Sequence, residues 1–192
     1  MLTEEQILEM LKFSGALLKG HFKLPTGEHT DQHVECARVL QYPWHATVLC
    51  QELGSRYQNS GIDLIIGPAM GGIIIAYELG RIMEIPMIFT ERSQGEMSLC
   101  RGFSIRPGQR ILIAEDEIIT GHSIKELMNL INNRGGEIVG VAALIDRSGE
   151  ISKNLGCRVE TLITLEENKY PPEECPWCRQ EIPISRPGGR NL

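Results

Sequence analysis

A repeated switch of hydrophobic period between residues 62 and 165 constrains this chain more than any other feature. The runs IDLII (62–66), PMIF (86–89), RILIA (110–114), EIVGVAALID (137–146) and CRVETLITL (157–165) have the length and apolar content of buried strands. Between them lie stretches of helical spacing. IIIAYELGRIM (73–83) is one, and in the other Ile124, Leu127, Met128 and Ile131 repeat at i, i+3, i+4, i+7. Strands alternating with helices predict an α/β fold, a mostly parallel central sheet flanked by helices on both faces. At 192 residues the chain is long enough for one domain with a substantial core.

The N-terminal part reads differently. Thr3 with Gln6 forms a capping-box pattern ahead of Ile7, Leu8 and Leu11, which predicts a first helix. GHFKLPTGEHTDQHVECARVLQYP is polar, with turns and short strands expected. Pro43 then opens a second helix, which Gly61 closes. ERSQGEMSLCRGFSIRPG reads as a long polar loop after PMIF. Ser123 with Glu126 repeats the capping pattern at a helix that Gly135 and Gly136 end. The expected organisation is a single domain: residues 1–42 as helix and small hood, 43–166 as core, 167–192 as an irregular tail rich in Cys and Pro.

A net charge of −6 argues against a nucleic-acid partner. It does not argue against small anions, because backbone amides can hold a phosphate locally. No apolar run is long enough to cross a bilayer, and MLTEEQILEM lacks the form of a secretory leader, so no membrane and a cytoplasmic location are expected.

ILIAEDEIITGHS (111–123) carries the chemistry. Ligands of open parallel sheets bind beyond the carboxyl ends of the strands, where Glu115 and Asp116 stand. Two adjacent carboxylates repel and lose hydration unless hydroxyl donors or a cation meet them; ribose hydroxyls and Mg2+ both qualify. Thr120, Gly121, His122 and Ser123 follow at a helix start, where free N–H groups favour a phosphate. A capped surface helix after a strand is the simpler alternative for the acids alone.

These residues resemble the phosphoribosyl-pyrophosphate (PRPP) motif of type I phosphoribosyltransferases, and within them the orotate phosphoribosyltransferases. GHFKLPTGEHTD is similar to their hood, and GPAMGGIIIAYELGR to their pyrophosphate-side turn and helix. FTER with RGF resembles their mobile catalytic loop, LIDRSG the strand end carrying a base-contacting Arg, and PPEECP the tail of one subgroup. The resemblance implies the type I phosphoribosyltransferase fold. It also implies transfer of phosphoribosyl from PRPP to orotate with Mg2+, giving orotidine 5-monophosphate and pyrophosphate. The active form would be a homodimer in which the loop from Arg92 to Arg101 reaches the neighbour's site.

By that resemblance Glu115 and Asp116 hold the ribose hydroxyls, and Thr120, Gly121 and Ser123 the 5-phosphate. Ala69, Met70, Gly71 and Gly72 approach pyrophosphate, and Thr26 and Gly27 lie near the base. Arg147 either pairs with the orotate carboxylate or is a surface residue bridged to Asp146. Gly71 and Gly72 also fit a tight turn before a helix. His122 is either a phosphate contact or an exposed loop residue.

Several positions depart from the pattern. Active relatives carry Lys near the start of the mobile loop, where this chain has Ser93 and Glu96, leaving Arg92 and Arg101 as its cations. One preorganised charge-stabilising group is worth roughly 3–4 kcal/mol in a transition state. Ile119 replaces a usual Thr and His122 a usual Gly, so that a left-handed backbone there would strain the histidine. Glu117 adds an acid where an apolar residue is usual, and Pro25 stands at a common base-contacting Lys. Two further readings therefore stay open: a phosphoribosyltransferase of other base specificity, and a non-catalytic PRPP- or nucleotide-binding regulator.

Cys175-x-x-Cys178 has the spacing of half a zinc site, which Cys157 or histidines would have to complete; thiol redox chemistry and a plain turn with two thiols are the other readings.

Overall fold

The computed structural model describes residues 2–24, 26–150 and 152–185; the expectation for Pro25 lies outside them. The chain runs α1 (Glu4–Phe13), β1 (Leu17–Lys23), β2 (His29–Val34), α2 (Ala37–Leu40), α3 (Pro43–Ser55), β3 (Leu64–Pro68), α4 (Gly71–Met83), β4 (Met87–Ser93), β5 (Glu96–Leu99), β6 (Arg110–Ile118), α5 (His122–Asn133), β7 (Glu137–Asp146), β8 (Val159–Thr164), β9 (Lys169–Tyr170) and α6 (Pro176–Arg179). A 3-10 turn spans Ser152–Asn154.

The main sheet has six strands in the order β5-β4-β3-β6-β7-β8. All its pairings are parallel except β4 with β5. Chain order reverses between β3 and β6, and such a switch point opens a crevice at the carboxyl ends of the two strands. The central parts of β3, β6 and β7 are apolar because both faces are covered there. Ile111 and Ile113 of β6, with Val141 and Ala143 of β7, pack with Ile124, Leu127 and Ile131 of α5. Leu112, Ala114, Ala142 and Leu144 point the other way, into a core shared with α1, α3 and α4. A smaller sheet, β1-β2-β9, is built on the N-terminal hairpin and catches the tail.

Most expected elements are present, including the capping box at α1, where Thr3 and Gln6 bond reciprocally. Four expectations are corrected. The polar loop after PMIF is largely a hairpin: β4 continues to Ser93 and returns as β5, with Ser93 paired to Glu96. Gln94 (φ 54°) and Gly95 (φ 89°) form a two-residue turn whose left-handed pair matches strand twist. The strand expected over 110–114 runs on to Ile118, because β7 pairs with it as far as Ile118↔Asp146. Helix α3 ends at Ser55 rather than near Gly61. Ser123 does not cap α5: the cap position is Gly121, with φ 67°, and no side chain bonds there.

Candidate active site

Strand β6 loses its β3 neighbour at Ile113, the last paired residue on that side, yet keeps β7 on the other. Its last residues therefore line a cleft along one edge. That cleft, about 250 Å³, is bounded by Pro68, Ala69, Met70 and Gly71 where β3 passes into α4, by Thr90, Glu91 and Arg92 of β4, and by Glu115, Asp116, Glu117, Ile119 and Ser123. It runs beside a second hollow formed by Thr120, Gly121, His122 and Ser123 with the end of β6.

The close approach of the β3–α4 turn to β6 explains its glycines. A Cβ on Gly71 would lie 1.9 Å from Asp116 Oδ2, and one on Gly72 would lie 2.8 Å from the Ala114 carbonyl oxygen. A Cβ on Gly67 would sit 2.1 Å from the Gly72 carbonyl oxygen. The start of α4 can therefore rest on the acids only without side chains at these positions. The simpler reading of Gly71 and Gly72, a tight turn before a helix, holds.

Glu115 is 7% exposed. Burial pushes its carboxyl up to about 9, and the Asp116 charge pushes the same way. Burial also raises Asp116, opposed by its hydrogen bond to Glu115. The pair thus holds a proton at neutral pH, carried on Glu115, and hydroxyl donors or a cation would release it. Burial raises Glu117 as well, with Arg147 opposing.

At the β6–α5 turn the left-handed residue is Gly121, not His122. The strain expected at His122 is therefore absent; His122 is helical, and its exposed ring lies 3.6 Å from Glu126. Thr120 Oγ1 accepts from the His122 N–H at 3.3 Å, holding the turn shape.

Arg147 is corrected on one of its two readings. It is not a surface partner of Asp146. Its side chain is 7% exposed and pairs with Glu117 at 2.6 Å and with Glu167. Asp146 instead accepts from Ser148 and Ser152, closing the loop after β7. Glu117 is thereby accounted for as half of the carboxylate cage of Arg147. Arg147 Nε is buried with no partner.

The two loop cations part company. Arg92 faces the cleft and is paired to Glu126 of α5, with its Nη1 also donating to the Gly95 carbonyl at 2.8 Å. Arg101 stays on the hairpin, bonded to Glu91 at 2.8 Å, and does not line the cleft. Thr26 and Gly27 occupy the tip of the β1–β2 hairpin, where Thr26 bonds Glu28 at 2.9 Å; neither lines the cleft. Sequence reading missed Thr90. Its hydroxyl is buried, lines the cleft, and has no hydrogen-bond partner. Its only signal was its place directly after the apolar run 86–89, where it pairs with Pro68 at the end of β3.

Arg92 is the one cation of the described cleft lining, against Glu91, Glu115, Asp116 and Glu117. A polyanion there would depend on the amides of Ala69–Gly72 and Thr120–Ser123. A strand-end acid pair set beside a helix N-terminus suits a ligand with hydroxyls at one end and phosphate at the other.

Residues 48–177 match the family described as phosphoribosyl transferase domain. An orotate phosphoribosyltransferase of Desulforamulus reducens is 44% identical over 191 residues, covering 100% of both chains. One of Pelotomaculum thermopropionicum is likewise 44% identical over 191 residues, with the same coverage. The crystal structure of the orotate phosphoribosyltransferase from Aeropyrum pernix superposes with a TM-score of 0.70 at 23% identity, over 83% of this chain and 93% of that one, which shows a shared fold. By the match across its core and its full-length identity to these relatives, the chain belongs to the phosphoribosyltransferase family, in its orotate phosphoribosyltransferase branch.

Proposed function

We propose that the chain transfers the phosphoribosyl group of PRPP to orotate, giving orotidine 5-monophosphate and pyrophosphate. The observation that carries this is the buried Glu115–Asp116 pair opening onto the same cleft as the Gly71 turn and Ser123, in a chain whose full-length relatives carry that activity in their names.

The two acids accept from the ribose hydroxyls, which fixes the sugar. Amides at Thr120–Ser123 hold the 5-phosphate, and those at Ala69–Gly72 meet the pyrophosphate. The Thr90 hydroxyl is placed to donate to a ligand oxygen. As the C1–pyrophosphate bond breaks, the sugar gains positive charge, which Asp116 and Glu115 stabilise once deprotonated. Arg92 meets the departing pyrophosphate after it leaves Glu126, and Arg101 follows if the hairpin closes. Thr26 and Gly27 at the hood tip, with Arg147 Nε as a free donor, form the base side. Arg147 must loosen its hold on Glu117 or Glu167 to take a carboxylate.

Mg2+ fits this donor set, since the buried Glu115 and the half-buried Asp116 have no cationic side-chain partner among the described residues; when bound it supplies charge neutralisation of the pyrophosphate. Glu115 and Asp116 would hold it together with substrate oxygens.

A homodimer is supported by apolar side chains left in solvent one turn apart on two packed helices, Trp44 with Val48 on α3 and Ile74 with Tyr77 on α4. A cytoplasmic location is supported by six unpaired cysteines. Among the described residues no helix is long and apolar enough to cross a membrane.

The test is loss of orotate absorbance with PRPP and Mg2+. Turnover with orotate and none with adenine, guanine or uracil is expected. Turnover with another base alone would move the specificity. PRPP binding without turnover on any base would make the chain a sensor.

A further inference from the structure

The motif left over from the sequence is Cys175-x-x-Cys178, and the fold supplies the other half of it. Two histidines of the N-terminal hairpin, His21 of β1 and His29 of β2, meet the two thiols. One ligand atom from each lies within 4.8 Å of all the others. We propose that His21 Nε2, His29 Nδ1, Cys175 Sγ and Cys178 Sγ form a tetrahedral site for a zinc-class divalent ion, which pins the tail to the hood hairpin.

Four distances carry the geometry. His21 Nε2 is 2.8 Å from His29 Nδ1, 3.5 Å from Cys175 Sγ and 3.7 Å from Cys178 Sγ, and Cys178 Sγ is 3.2 Å from His29 Nδ1. Tetrahedral zinc, with bonds of roughly 2.0 Å to nitrogen and 2.3 Å to sulfur, separates its ligands by about 3.4–3.8 Å. The imidazole nitrogens must part by about half an ångström to reach that separation. Cys2His2 is a soft, closed donor set that selects zinc over magnesium or calcium.

The surroundings belong to a ligand site. His21 Nδ1 lies 2.7 Å from the Ile182 carbonyl oxygen, so it carries the proton and donates. Its Nε2 therefore turns a lone pair toward the cluster, the arrangement in which an outer hydrogen bond orients a metal-binding histidine. His21, His29 and Cys175 are buried, and Cys178 sits at the rim. Trp177 stacks over His21 at 6.2 Å between ring centres, and Tyr170 packs on Trp177 at 5.5 Å, which holds the His21 ring in place.

The tail also needs a fastening. Its regular structure is a two-residue strand and a four-residue helix, with one backbone bond from Ser185 to His21 at 2.7 Å. Elements this short do not hold themselves in water. A metal linking residues 154 positions apart in sequence closes that gap. Binding converts two thiols to thiolates and releases two protons, so the step needs no oxidant. The pair of histidines also brackets the hairpin tip with Thr26 and Gly27, so the ion would set how firmly the hood is held. Cys157 is not among the ligands: it packs against the core cluster on the α5 side of the sheet.

The test uses untagged full-length protein purified without chelator. Elemental analysis should give about one zinc per chain. Exchange for Co2+ should give the intense visible d–d bands and the sulfur-to-cobalt charge transfer of a tetrahedral thiolate site. Cys178→Ser and His29→Ala should lose both signals, and Cys157→Ser should keep them. Metal-free protein with no tetrahedral cobalt spectrum overturns the proposal, as does a Cys175–Cys178 disulfide in place of metal. If the variants fail to fold, the cobalt titration of the parent protein decides alone.

Discussion

Replacing Glu115 by Gln should make the free protein more stable while removing its grip on PRPP. Glu115 titrates at about 9 in the fold against 4.5 in the unfolded chain. Between those values the folded state keeps a proton that the unfolded chain has released. Stability therefore falls as pH rises through that window, by about 1.4 kcal/mol per unit. At pH 7 the accumulated cost is about 3 kcal/mol for this one carboxyl. Gln keeps the oxygen that accepts from the Asp116 N–H at 3.1 Å but carries no ionisable proton. The variant should match the parent near pH 4.5 and exceed it by about 3 kcal/mol at pH 7, or roughly 6–12 °C in Tm for a chain this long. Urea unfolding of both proteins at half-unit steps from pH 4.5 to 8 measures the difference directly. With saturating PRPP and Mg2+ the order should invert, because ligand binding stabilises only the protein that can bind it. A difference that stays flat with pH, or below about 1 kcal/mol at pH 8, would show that the buried dyad does not store this cost.

Three other perturbations test separate parts. Gly71→Ala puts a methyl carbon onto the Asp116 carboxylate; PRPP binding by calorimetry should be lost, with stability lowered by about 1–3 kcal/mol from overpacking. Arg147→Ala leaves Glu117 buried without its partner and Glu167 with only Lys169, 3.7 Å away, and denaturant unfolding should show a loss of about 3–5 kcal/mol, eased in the double variant with Glu117→Gln. Glu126→Gln frees Arg92 from its resting ion pair; the pair is exposed, so Tm should hold, while the orotate assay should show kcat raised or unchanged and Arg92→Ala should lower it. PRPP affinity should also rise with pH between about 6 and 9, since binding displaces the proton on Glu115; a flat profile would put the ligand elsewhere.

The sheet was legible in sequence because its strands are buried on both faces: Ile111, Leu112, Ile113 and Ala114 feed two different cores, so no polar residue interrupts the run. Composition and order also placed the acid pair and the turn before α5, since both depend on local chemistry at a strand end and a helix start. The hairpin of β4 and β5 was hidden, because its exposed face is polar and its turn rests on Gln94 rather than the usual Asn or Asp. The partner of Arg147 was hidden too: Glu117 and Glu167 lie 30 and 20 residues away, and only packing brings them together. The same holds for His21 and His29 beside Cys175 and Cys178, ligands from opposite ends of the chain joined by a two-residue strand pairing. Local order along a chain dictates which elements form and what their ends can bind. Which distant charges and ligands share a site is set by the geometry of folding, because burial leaves each polar group to find a partner wherever the fold delivers one.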